Sequence, residues 1–324
     1  MPFFKRRAPA RRVFFATDIH GSELCFRKWI SAARVYEAPI LVLGGDITGK
    51  LVVPIVLENG AYRAELFNQP VVARDDAELE ALISRIRQMG RYDAILTPAQ
   101  RQTLESDPAE VDRLFHEVTQ ASLRRWIALA DERLDGTDVR AFVMLGNDDY
   151  PELAEALDSG SRVKYAEERV LDAGGDYEIF SFGFSTPTPW DSPREISEEE
   201  MTERMEALLA SARDPRRTIF NLHCPPSDTL LDRAPRLDAE MRPIVAGGAI
   251  DQMSVGSTAV RRLIIERQPV LGLHGHVHES AGIDRLGASL CVNPGSEYAD
   301  GILRGVIVDL AEDGTVARWQ MVQA

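Results

Sequence analysis

Short apolar runs that end abruptly in polar residues recur along the chain. Each run is four to six residues long and rich in β-branched, leucine or aromatic side chains, which is typical of a buried strand followed by a turn. The pattern predicts core strands at Arg12–Thr17, Ile40–Leu43, Ala141–Leu145, Thr218–Leu222 and Pro269–Leu273.

The polar residues that follow these runs offer only oxygen and imidazole donors. Loops that leave the same ends of neighbouring strands place their polar residues in one crevice. This donor set is how a two-metal hydrolytic centre is built. For any single motif, a core strand that happens to end in a polar turn is the simpler interpretation, but the complete set favours a metal site. The candidate ligands are Asp18, His20, Asp46, Asn147, His223, His276 and His278.

A long segment between the second and third runs interrupts this pattern. Leu51–Phe67 predicts a hairpin, because the Asn-Gly pair at its centre suits a tight turn. Two helices are predicted after the hairpin, over Asp75–Met89 and Ala109–Leu134, from apolar residues at helical spacing. We predict that residues 51–135 form a mostly helical cap beside the metal centre, inserted into a single domain that spans residues 1–324.

Two later segments complete the predicted fold. Pro225–Gly256 is rich in proline and glycine, which indicates an irregular loop. Because this loop leaves directly from His223, we expect it to form one wall of the substrate pocket. Ile283–Val322 contains several strand-like segments, which we expect to complete a second sheet.

Composition narrows the class of protein. The chain has 324 residues, is 44% hydrophobic and has no run near the roughly 20 apolar residues of a membrane span. A net charge of −14 disfavours nucleic acid as a partner. The basic residues Lys5–Arg7 predict a solvated tail, since the apolar run after Arg12 is too short for a signal-peptide core. With three cysteines, which we expect to be reduced thiols, the chain predicts a cytoplasmic protein without a membrane association.

The order of the motifs, Asp-x-His, Gly-Asp, Gly-Asn, His and Gly-His-x-His, resembles that of the calcineurin-like metallophosphoesterases. The resemblance runs from about Thr17 to Ser296. It implies an α/β fold in which a two-layer β-sandwich is flanked by helices and carries metal ions at the strand ends. Details such as His223-Cys-Pro-Pro and Asn293-Pro-Gly-Ser resemble most closely the phosphoesterases related to bacterial cyclic-nucleotide phosphodiesterase.

This resemblance also implies a role for each candidate ligand. A bridging carboxylate holds two cations roughly 3.5–4 Å apart, so that they share a hydroxide that attacks phosphorus. Donor chemistry permits Mn, Fe, Zn, Ni or Co. We expect the site to bind two divalent ions, and of these metals we expect Mn²⁺. The resemblance assigns Asp18, His20 and His278 to the first ion, Asn147, His223 and His276 to the second, and Asp46 to the bridge, with Asn147 also close to the substrate.

Asp148 departs from the superfamily pattern. A histidine usually follows the asparagine of the third motif, where it binds phosphate and can protonate the leaving group. An aspartate with an ordinary pKa of about 3.9 stays ionised beside two cations. Two interpretations are open: Asp148 takes the catalytic place of the histidine, or it caps a helix that begins at Pro151. Lys50 is a candidate substrate contact, although a lysine that opens a hairpin is more often simply exposed.

These observations predict a metal-dependent phosphoesterase whose substrate is a small phosphodiester or nucleotide-type phosphate ester. A phosphomonoesterase is the nearest alternative. The alternative outside the enzymes is a non-catalytic scaffold that binds partner proteins. Such a scaffold would be recognised by the loss of metal-ligand residues. No position of the ligand set is lost.

Overall fold

The structure, a computed structural model, describes residues 11–324. The basic residues Lys5–Arg7, for which the sequence predicts a solvated tail, lie outside the described residues. Two large mixed sheets, seven α-helices and three short 3₁₀ turns account for most of the described chain, together with three smaller sheets.

The first large sheet carries the strands predicted from the first three apolar runs. Its six strands lie in the order β20 (Val316–Gln323), β19 (Arg304–Leu310), β1 (Arg11–Ala16), β2 (Ile40–Gly44), β7 (Arg140–Met144) and β8 (Val163–Tyr165). Strands β1, β2, β7 and β8 are parallel, whereas β19 is antiparallel to both of its neighbours. The loops that follow β1, β2 and β7 therefore leave the same edge of the sheet.

The second large sheet carries the other two predicted strands. Its order is β17 (Gly282–Leu286), β18 (Ser289–Asn293), β16 (Leu271–Leu273), β11 (Thr218–Leu222), β10 (Tyr177–Phe182) and β9 (Arg169–Gly174). The expectation that the whole closing stretch of the chain completes this sheet is wrong. β19 and β20 belong to the first sheet instead, because Val306 and Val308 pair with β1 and bury their side chains between the sheets.

Alternating side chains explain why the two sheets stack. Val13 and Phe15 of β1 point into a buried cluster that also contains Ile219 and Leu271 of the second sheet. Phe14 lies on the opposite face of β1 and packs under two helices, α1 (Glu23–Val35) and α4 (Pro108–Leu134). The central strands of the first sheet are thus buried on both faces.

The outer face of the second sheet is covered in the same way. Phe180 and Phe220 pack beneath α6 (Glu198–Leu209) and α7 (Thr258–Arg267). The remaining helix of the sandwich, α5 (Ala154–Leu157), follows β7 after a 3₁₀ turn at Pro151–Leu153. The predicted α/β fold, a two-layer sandwich flanked by helices, is confirmed.

The segment between β2 and β7 contains a sheet that the sequence predicted only in part. Its strands lie in the order β5 (Gln69–Ala73), β4 (Ala61–Leu66), β3 (Val52–Glu58) and β6 (Tyr92–Leu96). Asn59 and Gly60 have positive φ at the tip of the predicted hairpin, as a tight turn requires. One face of the sheet packs on α2 (Asp76–Gln88), and α3 (Pro98–Ser106) follows β6.

Helix α4 lies between β2 and β7 in the sequence, but only part of it packs with the inserted sheet. Its C-terminal half contributes Leu123, Trp126 and Ile127 to the cluster beneath the first sheet. The Trp126 ring stacks on Phe26 of α1 with 4.8 Å between the ring centroids. We therefore propose that the inserted unit ends within α4, before Leu123, and that the C-terminal half of α4 is part of the sandwich.

The proline-rich loop after β11 is less irregular than its composition predicts. Two small antiparallel pairs lie within it: β12 (Arg233–Pro235) with β15 (Gln252–Ser254), and β13 (Val245–Ala246) with β14 (Ala249–Ile250). Two further 3₁₀ turns occur at Pro215–Arg217 and Tyr298–Asp300. Among the helices at residues 11–324, none is both long enough and apolar enough to cross a membrane.

Substitution of Trp126 tests the division of α4. We expect Trp126→Ala to lower the free energy of unfolding by about 3–5 kcal/mol, because it removes a large buried aromatic group from the core. Ile95→Ala in β6, where the side chain is 49% exposed, should change it by less than about 0.5 kcal/mol. Urea denaturation measures both values. Equal losses for the two variants would contradict the placement of α4 in the core.

Candidate metal centre

All seven candidate ligands lie in loops at one edge of the two sheets. The loops after β1, β2 and β7 of the first sheet meet those after β11 and β16 of the second. Five of the side chains are almost wholly buried, and those of His276 and His278 are partly exposed. The parallel strands thus bring together residues that are up to 260 positions apart in the sequence.

Three of the ligands form a first group. The Nε2 atoms of His20 and His278 lie 3.1 Å apart, and His278 Nε2 lies 3.3 Å from Asp18 Oδ1. The donor atoms of all three residues fall within 4.8 Å of one another, which suits coordination of one cation. This is the set that the resemblance assigns to the first metal ion.

Asp46 lies between this group and a second one. Its Oδ2 atom is 3.8 Å from His20 Nε2 and 3.3 Å from His223 Nε2. On the far side, Asn147 Oδ1 lies 2.8 Å from His276 Nδ1. Asp18 also approaches the second group, with Oδ1 3.9 Å from His223 Nε2. The position of Asp46 between imidazoles of both groups is the one that a bridging carboxylate occupies.

The hydrogen bonds of the imidazoles fit cation binding. His223 Nδ1 lies 2.8 Å from the carbonyl oxygen of Gly44, to which it donates, so in the neutral imidazole Nε2 carries the lone pair. That Nε2 atom is buried, and although it lies 3.3 Å from Asp46 Oδ2 it makes no hydrogen bond within residues 11–324. Nδ1 of His20 is also buried, without a partner among the residues that the structure describes. Buried polar atoms without partners are rare, and a pair of divalent cations coordinated by this donor set would explain the unpartnered His223 atom.

Electrostatics of the cluster also calls for positive charge. Burial opposes ionisation of Asp46, but His223 and His20 outweigh it and lower the pKa of Asp46. Burial likewise disfavours a charged His223, yet Asp46 and Asp18 raise its pKa to about 10. At neutral pH and with no cation bound, both ring nitrogens of His223 therefore carry a proton and the side chain is positively charged. Metal binding must displace the Nε2 proton, so metal affinity rises with pH.

The ligand loops hold a strained backbone. Asp18, His20, Asp46 and His276 have φ of 52°, 37°, 47° and 67°, in the left-handed region that few residues other than glycine adopt. Such conformations persist only where the surroundings determine them, and they cluster at functional sites. Hydrogen bonds between the loops supply that support, from Asp18 N to Gly45 O at 3.0 Å and from His20 N to Asp46 O at 3.0 Å.

Two motif glycines are required by close approach. A Cβ atom on Gly146 would lie 2.1 Å from Asp46 Oδ1, and one on Gly275 would lie 2.3 Å from Asp18 Oδ2. Neither contact leaves room for a side chain. The Gly-Asn and Gly-His pairs therefore let two backbone segments pass directly against the carboxylates.

Asp149, a residue for which the sequence predicts no role, joins two of these loops. Its buried carboxylate accepts hydrogen bonds from Ile47 N at 3.0 Å, Thr48 N at 2.9 Å and Gly146 N at 2.8 Å, and from the Thr48 hydroxyl. These bonds fix the loop after β2 to the loop after β7. The sequence signal was only the doubled aspartate after Asn147.

Asp148 takes no part in the clamp, as we call the hydrogen bonds by which Asp149 joins the two loops. Its backbone N–H donates to Asp46 Oδ1 at 3.0 Å, and its carboxylate pairs with Lys50 and accepts from Ser192 Oγ at 2.7 Å. The 3₁₀ turn that follows begins after Tyr150 and has no side-chain cap. The helix-cap interpretation of Asp148 is therefore wrong. Lys50, whose side chain is 60% exposed, lies at the rim of the centre.

A buried ion pair supports the loop after β7 from behind. Arg194 donates from its backbone N–H to Asn147 O at 3.1 Å and from Nη1 to Gly146 O at 3.0 Å. Its guanidinium pairs with Glu167, which accepts from Gly183 N at 3.0 Å. The sequence offered no signal for this pair, because both residues lie in segments without periodicity.

Comparisons with known proteins support the fold. No family model matches the chain. An uncharacterized protein of Methanocaldococcus jannaschii, MJ1162, is 27% identical over 151 residues, which are 46% of this chain and 61% of that relative. A solved crystal structure is similar over 98% of this chain and 99% of its own, with 18% identity and a TM-score of 0.59. TT1561 of Thermus thermophilus is similar over 97% of this chain and 98% of its own, with 14% identity and a TM-score of 0.54. These two structures share the fold.

Asp149→Asn tests the clamp between the loops. The amide keeps one acceptor oxygen but turns its NH₂ group toward N–H donors, so we expect the free energy of unfolding to fall by about 2–3 kcal/mol. Asp148→Asn is the matched control, and it should lower the free energy of unfolding by less than about 1 kcal/mol, since it removes only a partly exposed ion pair. Denaturation of both variants in the presence of a chelator gives the comparison. The clamp is refuted if Asp149→Asn is as stable as Asp148→Asn.

Proposed function

We propose that the protein is a metal-dependent phosphoesterase that hydrolyses a small phosphodiester or nucleotide-type phosphate ester. The observation that carries this proposal is the position of Asp46, whose carboxylate lies between the imidazoles of two ligand groups. The likeness of the motif order to the calcineurin-like metallophosphoesterases supports it, and the branch related to cyclic-nucleotide phosphodiesterase is part of the proposal. A cytoplasmic location stays a prediction from the sequence.

Two divalent cations fit this site. In the proposal, Asp18, His20 and His278 hold one ion, Asp46 is shared, and the other is held by Asn147, His223 and His276. We expect Mn²⁺, although the donor set equally accepts Fe, Zn, Ni or Co. When bound, such ions neutralise charge on the phosphate and lower the pKa of water that they coordinate.

The chain's own residues complete the chemistry. Lys50 lies at the rim of the centre, where its ammonium group can orient a phosphate oxygen of the substrate. Asp148 is already engaged, because its carboxylate accepts from both Lys50 and Ser192. A carboxylate that accepts from an ammonium group and a hydroxyl serves as an acceptor, so in this proposal Asp148 holds Lys50 in place and does not protonate the leaving group.

Charge at the rim favours a diester over a monoester. A diester brings one negative charge and a monoester close to two. Lys50 is the only cation among the residues that line the cleft beside Asp148 in the described chain, and three aspartates line it as well. The alternative of a phosphomonoesterase would require this rim to accept the larger charge.

Substitution of the bridging carboxylate tests the metal centre. We expect Asp46→Asn to lose at least one metal ion per chain and to lower activity more than the roughly 10–100-fold typical of an outer-shell change. The neutral amide cannot balance the charge that two cations bring. Asp313→Asn is the control, since Asp313 is exposed and lies at the turn between β19 and β20. Full metal content and full activity in Asp46→Asn would rule out the assignment.

The second test is the dependence of rate on the leaving group. Without a proton donor, the enzyme should hydrolyse aryl esters such as p-nitrophenyl phosphodiesters far faster than alkyl ones, because a stable leaving anion needs no acid. Asp148→His should narrow this gap at unchanged metal content, whereas Asp148→Asn, which has no acid, should not. The measurement is log kcat against leaving-group pKa for the three proteins. A wild-type rate that is independent of leaving-group pKa would show that another residue donates the proton.

A further inference from the structure

A cleft of about 550 Å³ opens beside Asp148, next to the metal centre. Its walls come from three separate parts of the chain: Lys50 and Leu51 before β3, Val111 and Phe115 in the N-terminal half of α4, and the loop that carries Trp190. Asp148 lies on the wall shared with the centre, since its backbone N–H contacts the carboxylate of Asp46. A phosphate ester at the metal centre would therefore extend into this cleft.

Trp190 is the most exposed of the large apolar side chains in the described residues, at 66%. An exposed tryptophan on a mobile loop would be ordinary, but this loop is fixed. The Glu195 carboxylate accepts from Thr188 N and Ser192 N, both at 3.0 Å, and Trp190 N donates to Thr188 Oγ1 at 3.2 Å. Ser192 in turn donates to Asp148 at 2.7 Å. The indole is thus presented to solvent from a loop that is tied to the centre itself.

Two more aromatic rings line the same cleft. Tyr150 is 38% exposed, and its ring lies 6.0 Å from that of Phe115 and 4.9 Å from that of His116, both in edge-to-face arrangements. These contacts hold the Tyr150 ring in place. Planar aromatic surfaces that are rigid and partly open to solvent are the means by which proteins stack on bases and other flat groups.

The charge of the cleft restricts what can enter it. Asp112, Asp148 and Asp191 line it, against the single cation Lys50, which is paired with Asp148. A second phosphate or another anion would be repelled. A neutral flat group would bring apolar and π surface to the rings without that penalty.

We propose, on the basis of the proposed function, that this cleft is the leaving-group subsite and that it binds a neutral nucleoside-type group stacked on Trp190. Tyr150 forms a second aromatic surface, and the inserted unit together with α4 closes the cleft on the other side. The substrate class that follows is a phosphate ester of a nucleoside, and nucleoside polyphosphates are disfavoured.

Equilibrium dialysis with adenosine and ribose tests the subsite without any hydrolysis, because neither compound has an ester bond. The proteins compared are the wild type, Trp190→Leu, Trp190→Phe and the control Trp319→Leu, which removes a tryptophan that is 44% exposed on β20. The wild type and the control should bind adenosine at least about tenfold more tightly than ribose. Trp190→Leu should weaken adenosine binding about 5- to 100-fold, and Trp190→Phe should restore most of it.

The outcomes distinguish failure of the subsite from failure of the proposed function. Equal adenosine binding by the wild type and Trp190→Leu, or equal binding of adenosine and ribose by the wild type, would overturn the subsite. Adenosine binding that depends on Trp190 in a protein without phosphoesterase activity would support the subsite and count against the proposed function. Hydrolysis of phosphodiesters by a wild-type protein that does not bind adenosine would support the function and overturn the subsite.

Discussion

The burial of two carboxylates in one small cluster is the constraint on which the rest of this structure depends. Asp18 and Asp46 are both almost wholly buried, and like charges at such sites are costly unless positive charge lies beside them. Imidazoles surround the pair, and the pKa of His223 is raised to about 10 by the two carboxylates. Protonated histidine can balance only part of this charge, whereas divalent cations on the same donors balance it fully.

The sandwich around the cluster serves to hold this arrangement in place. Parallel strands from both sheets bring the candidate ligands to one edge, and four of these residues adopt backbone conformations that cost about 1–3 kcal/mol each. Asp149 joins the loops after β2 and β7 by hydrogen bonds. The buried ion pair of Arg194 and Glu167 also supports the loop after β7, because Arg194 donates to its backbone. Strain in the loops is therefore offset by hydrogen bonds that lie just outside the ligand set.

Local patterns predicted the strands, and they singled out the candidate ligands because each of these closely follows an apolar run. Local patterns did not predict the features that depend on contacts between distant parts of the chain. Nothing in the sequence of α4 marks the point at which its contacts change from the inserted unit to Phe26 and the sandwich. Asp148 and Asp149 are chemically identical neighbours, and only their orientation makes one a clamp and the other a rim residue. Helix α3 could have been found, since Thr97 and Gln100 form a capping box.

The central claim is a site built for two cations that share Asp46. Anomalous X-ray scattering from crystals grown with Mn²⁺ tests it most directly, because the peaks locate the ions without reference to activity. The account predicts two peaks per chain, both within coordinating distance of the Asp46 carboxylate, one beside His20 and His278 and the other beside His223 and Asn147. A single peak, or two peaks of which one lies away from Asp46, would contradict it.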